Sequence, residues 1–151
     1  MERPGSSDSK EGYAVFLIAG KEYGINVKIL ASIIDPLRNY SSSDSYNINS
    51  ESLKFEDQEI PLIDIYKLFK INAPPQSKET RLIIVTTEEQ ERAAFFVEKV
   101  KEFISFDIKN STSLNYSDEP GREYLKRQLL FGHRYILIPD FNKIISEIRQ
   151  N

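Results

Sequence analysis

The chain has 151 residues, 40% of them apolar and 28% charged, which is one domain's worth of sequence with enough apolar side chains for a buried core. Lys and Arg total 20 against 23 Asp and Glu, a net charge of −3 with no basic or acidic tail, which argues against duplex nucleic-acid binding and its usual basic stripe. The absence of Cys excludes disulfides, thiolate metal sites and a Cys nucleophile, and fits a reducing compartment.

Residues 1–12 are polar and mixed in charge, with no apolar h-region, so a flexible lead is expected rather than a signal peptide. Runs 13–18 and 22–27 are rich in β-branched and aromatic residues and predict two strands that turn at Gly20-Lys21. Residues 27–34, with Val27, Leu30 and Ile33 spaced at three, read as a short helical block. A polar loop over 39–50 follows, including the Ser-rich stretch 41–45. An apolar strand then runs into Asp64 and a short helical pattern ending at Phe69.

Past the Pro74-Pro75 break, runs 82–85 and 93–97 predict two more strands, and 97–104 continues them. Residues 109–123 form another break. Segments 129–131 and 135–138 then flank a hairpin turn at Gly132-His133. The last element is a helical pattern opening at Asp140. No apolar run approaches the roughly 20 residues that span a bilayer, so a soluble, cytoplasmic protein is expected.

The chain states one plan twice. Val27, Leu30 and Ile33/Ile34 match Val97, Val100 and Phe103/Ile104, and each block leads through a polar loop to an apolar strand, an Asp and a short helix. The expected architecture is mainly β: a lead over 1–12, then one domain over 13–151 made of two small β subdomains, about 13–71 and 80–148, with room for strands to exchange.

Candidate chemistry is sparse. Asp64 and Asp140 stand at equivalent strand-to-helix junctions, where a carboxylate accepts first-turn N–H groups; this capping role is favoured over a catalytic carboxylate pair. The six Gly residues form neither a P-loop nor a G-x-G-x-x-G pattern. His133 is the only His, placed in a turn; a hydrolase built on it is the remote alternative, since no G-x-S-x-G elbow is present. Glu88, Glu89 and Glu91 lack cation-loop spacing and read as a solvated hairpin tip, so neither a metal nor a cofactor is expected. The 8 Tyr and 9 Phe read as core rather than as a base-stacking track, because no basic stripe accompanies them. By elimination, the profile is that of a binding module.

Tyr13-Ala-Val-Phe-Leu-Ile followed by Lys21-Glu-Tyr-Gly-Ile-Asn-Val resembles the opening of CheW-like chemotaxis coupling domains. Ile60-Pro-Leu-Ile-Asp-Ile-Tyr-Lys-Leu-Phe resembles that family's I-V-P-V-I-D-L strand, and Phe96-Val-Glu-Lys-Val its L-V-D-x-V segment. The stretch from Tyr124 to Phe141 resembles its closing Y-L-x-G hairpin and final strand. The order and spacing of these parts, from about residue 12 to 148, carry the resemblance.

It implies a pair of five-stranded SH3-like barrels and a non-catalytic adaptor that docks a CheA-type histidine kinase regulatory domain onto the cytoplasmic hairpin of a methyl-accepting chemoreceptor. No nucleic acid and no membrane insertion are implied. Val27, Leu30 and Ile33 are then candidates for a receptor groove, and Lys54, Phe55, Glu56 and Asp57 for the kinase face. Three departures fall on these surfaces. The family's N-L-R-G reads Lys54-Phe55-Glu56-Asp57, its V-x-E-I reads Leu30-Ala31-Ser32-Ile33, and the Gly of Y-L-x-G is Arg127. A CheW-like paralogue serving a different signalling partner is the alternative reading.

Overall fold

A computed structural model of the chain describes residues 10–36, 51–113 and 122–149; most of the predicted lead, the 41–45 stretch and residues 114–121 of the last break lie outside the described residues. Eleven strands and two α-helices are described. The first two strands, β1 (Lys10–Ile18) and β2 (Lys21–Asn26), turn at Ala19-Gly20, both with positive φ, the mirror-image turn whose twist suits a two-residue hairpin. Then come β3 (Leu30–Ile34), β4 (Ser52–Phe55), β5 (Gln58–Pro61) and helix α1 (Ile65–Phe69). The second half holds β6 (Arg81–Thr86), β7 (Arg92–Val97), β8 (Lys99–Asp107), β9 (Ser111–Ser113), β10 (Leu125–Phe131), β11 (Arg134–Pro139) and helix α2 (Phe141–Arg149).

The helical reading of 27–34 is corrected. Residues 27–29 turn, with the Ile29 N–H donating to the Asn26 carbonyl at 3.0 Å, and 30–34 pair antiparallel with β6. The i, i+3 spacing has another cause. A bulge between Leu30 and Ser32 adds one residue, so Leu30 opposite Val85 and Ile33 opposite Ile83 share a face despite their odd separation.

Three sheets result: six strands in the order β8-β1-β2-β11-β10-β9, three in the order β3-β6-β7, and the hairpin β4-β5. Strands exchange between the sequence halves, since β1 and β2 join β8 to β11 while β3 joins β6 and β7. All neighbours in the six-stranded sheet are antiparallel except β11 and β2. One of its faces buries Tyr13, Val15, Ile104, Phe106, Leu129, Ile136 and Ile138 largely against one another, so the sheet curls over its own interior. The two SH3-like bodies read from the resemblance are thus present in outline, as curled open sheets rather than closed rings.

A second core fills the seam between the sheets. It combines Ala14, Phe16, Tyr23 and Ile25 with Ile83, Val85 and Phe95, and both helices pack into it. Helix α2 contributes Phe141, Ile144, Ile145 and Ile148, spaced at i, i+3, i+4 and i+7. A third core lies between the three-stranded sheet and the β4-β5 hairpin, around Leu53, Ile60, Leu82 and Ile84. Each helix starts at its Asp: Asp64 Oδ1 accepts the Lys67 N–H and Asp140 Oδ1 the Lys143 N–H, both at 3.1 Å.

Gly24 shows how closely the curled sheet is filled. A Cβ there would stand 3.1 Å from both Ile136 Cγ2 and Ile138 Cδ1. Gly24→Ala is therefore expected to destabilise the protein by about 1–3 kcal/mol through overpacking, read as a lower urea midpoint at unchanged slope.

Candidate functional site

The predicted groove residues gather at the margin of the seam. Leu30 and Ile33 are half-buried on the seam-facing side of β3. Val27 remains 41% exposed, and its N–H donates to the Gly12 carbonyl at 2.9 Å. Across β1, Phe103 of β8 lies opposite Ala14 and is 60% exposed. Cross-strand partners share a face, so Val27 and Phe103 stand on the seam-facing side of the six-stranded sheet, to either side of β1. The β1 residues between them are Gly12 and Ala14, which leave a trough with apolar walls. A Cβ on Gly12 would come within 3.3 Å of Val27 Cγ2 and start to fill it.

Phe103 was not among the expected site residues. The signal was available in the internal repeat, which matches it to Ile33, and in the alternation of β8, where Ile104 and Phe106 turn inward and Phe103 turns out. Leu130 and Tyr135, cross-strand partners in the β10-β11 hairpin, are also exposed.

The expected kinase-face residues occupy the β4-β5 hairpin. Lys54 and Phe55 end β4, and Glu56 and Asp57 form its two-residue turn, both with positive φ (52° and 63°), a conformation that strains side chains other than Gly. Arg92 of β7 holds this turn in place. Its Nη1 donates to Glu56 Oε1 at 3.3 Å and Gln58 Oε1 at 3.2 Å, its Nε donates to Thr86 Oγ1 at 3.0 Å, and its guanidinium lies 5.6 Å from the Phe55 ring centre. The exposed edge therefore presents Lys54 and Asp57 beside a Glu56–Arg92 pair. Nothing in the sequence pattern singled out Arg92, because its partners lie 34 and 36 residues away.

A charged network covers one end of the curled sheet. Arg134 donates to Glu22 at 2.7 Å and also to Glu102, and Lys101 adds a 3.3 Å contact to Glu22. The hydrogen bond from Arg134, ahead of the other contacts, holds the Glu22 carboxyl below its usual range. Near the opposite end Tyr13 Oη donates to Glu11 at 3.0 Å; burial, with that carboxylate, pushes its phenol up to about 12. Both networks tie strands together.

His133 is exposed in its turn. The tip carrying Glu88 and Glu89 is a tight turn, in which the Thr87 N–H donates to the Glu91 carbonyl at 2.8 Å. Among the described residues no group of three or more His, Asp or Glu side chains is placed to hold a metal ion, and no helix is long and apolar enough to cross a membrane.

Two β bodies sharing a seam, an apolar trough at its margin and a clamped charged hairpin describe a module whose distinctive features are surfaces. The CheW-like domain family model matches residues 12–149, and the chain belongs to that family. Among solved structures it is similar to the scaffolding protein TtCheW from Thermoanaerobacter tengcongensis, with a TM-score of 0.70 and 20% identity over 85% of this chain and 88% of that one. No curated protein matches it.

Proposed function

We propose that this chain is a non-catalytic adaptor of chemotaxis-type signal transduction, coupling the cytoplasmic hairpin of a chemoreceptor to the regulatory domain of a CheA-type histidine kinase. The observation that carries the reading is the trough at the seam margin, where a sheet that buries most of its apolar side chains leaves Val27 and Phe103 uncovered, while Leu30 and Ile33 of β3 pack half-buried against the seam core. Such a surface suits the apolar face of a helix laid into it. Family membership supports an adaptor role, and the matched structure is itself described as a scaffolding protein. Scaffolding raises the effective concentration of its partners, so modest affinity at each face suffices.

The β4-β5 hairpin serves as the kinase face in this reading, with its charge pattern changed. Where the family motif carries Arg, this chain carries Glu56, and the cation paired with it is Arg92 on β7. The partner is then one that offers a basic group to the hairpin. The alternative of a repurposed paralogue rests on the same exchange and differs only in the partner's identity.

The test is a titration of the full chain against the chemoreceptor hairpin and the CheA-type regulatory domain from the same cell. Saturable binding to both is expected, and saturation by neither removes the proposal. Glu56→Arg places a second cation beside Arg92 and faces the partner's basic group with like charge. It is expected to weaken regulatory-domain binding by about tenfold while leaving the hairpin titration unchanged. Equal affinity for wild type and Glu56→Arg takes the β4-β5 edge out of the interface.

A further inference from the structure

On another side of the three-stranded sheet a cavity of about 260 Å³ opens between the β5-α1 connection, β7 and the segment carrying Pro74 and Pro75. Leu62, Tyr66, Phe96 and Pro74 give it apolar and aromatic walls, and among the described residues the only charged side chains in its lining are Asp64 and Glu98, with no Lys, Arg or His. We propose that this cavity binds a small organic cation, a protonated amine carried on an apolar body about the size of one ring.

The hydrogen bonds of the two carboxylates support this. Asp64 Oδ1 accepts the Lys67 N–H, and Oδ2 accepts nothing from the described residues. Glu98 Oε2 accepts the Ala19 N–H and, at 3.3 Å, the Tyr66 hydroxyl, while Oε1 accepts nothing from the described residues. Each carboxylate thus has one oxygen committed to the fold and one in reserve. An anion is repelled by both groups. A neutral ligand brings neither carboxylate a charge-assisted hydrogen bond. An ammonium supplies three donors, and the apolar body it is carried on suits the Tyr66 and Phe96 side chains of the lining. Burial and the Glu98 charge raise the Tyr66 phenol, which keeps its proton and remains a donor to Glu98. The volume lies just under the usual range of drug-sized pockets, so the ligand is small.

The site stands or falls independently of the adaptor partners. It is tested by NMR titration of the full chain with phenethylamine, and with phenethyl alcohol as a neutral probe having the same apolar body. The amine is expected to saturate in the millimolar range or below, moving the amide signals of Tyr66, Thr80, Phe96 and Glu98. The alcohol is expected to bind at least about tenfold more weakly, since it cannot form the charge-assisted hydrogen bonds. Asp64→Asn keeps the helix cap, because Asn caps as well as Asp, and it is expected to weaken the amine by about tenfold with no change in melting temperature. Glu98→Gln should behave likewise. Equal binding of amine and alcohol, unchanged affinity in both variants, or signals moving elsewhere would each overturn the assignment.

Discussion

Phe95→Ala is expected to lower the unfolding free energy by about 3–5 kcal/mol, the usual cost of deleting a fully buried aromatic ring. Phe95 has no exposed surface, and its ring centre lies 5.7 Å from Phe16 and 5.2 Å from Phe141. Phe16 stacks on Tyr23 at 6.2 Å, and Tyr23 on Phe69 at 5.5 Å. The rings form a relay from α2 through β7, β1 and β2 to α1, so removing Phe95 cuts the packing that joins the three-stranded sheet to the six-stranded one. Small domains have about 5–15 kcal/mol in all, so a large part of the stability goes with this ring. Urea denaturation checks it: the midpoint should fall with the slope unchanged, and Tyr135→Ala, at an exposed ring, should shift it by well under a third as much. A loss below about 1 kcal/mol would show that the two sheets do not depend on a shared seam.

The strands that build this seam were legible because burial on both faces selects continuous apolar, β-branched runs, as in residues 82–85 and 93–97. The Asp64 and Asp140 junctions were legible for a local reason, since a cap acts within one helical turn. Three features were not legible. The bulge in β3 imitated a helical spacing at Leu30 and Ile33, and no local pattern distinguishes the two causes. The β4-β5 hairpin carries Glu56-Asp57 at positions where Asn-Gly would have announced the turn, so its residues read only as a surface motif. The exchange of strands lies in pairings such as β1 with β8, where Tyr13 meets Ile104 from the other half of the chain. The candidate site divides in the same way. Val27, Leu30 and Ile33 were named because the family resemblance falls on a local stretch of sequence, whereas Phe103 and Arg92 reach their places through long-range register.

Phe103 supplies the sharper test of the adaptor proposal. Phe103→Asp is expected to weaken the chemoreceptor hairpin by about 30-fold or more, the loss typical of an aromatic anchor, while stability changes by no more than about 1 kcal/mol. The separation of effects follows from exposure, since a ring 60% open to water contributes little to folding and is free to be covered by a partner. Leu30→Asp cannot make that separation. Its side chain packs against the seam core, so a carboxylate there disturbs the fold and the trough together. The two variants are therefore compared in parallel, with calorimetry for binding and urea denaturation for stability. Loss of binding in Phe103→Asp at near-wild-type stability places the partner on the seam margin. Wild-type affinity in Phe103→Asp, with loss confined to Leu30→Asp, would mean that the trough is not where the hairpin docks and that Leu30 acts only through the fold.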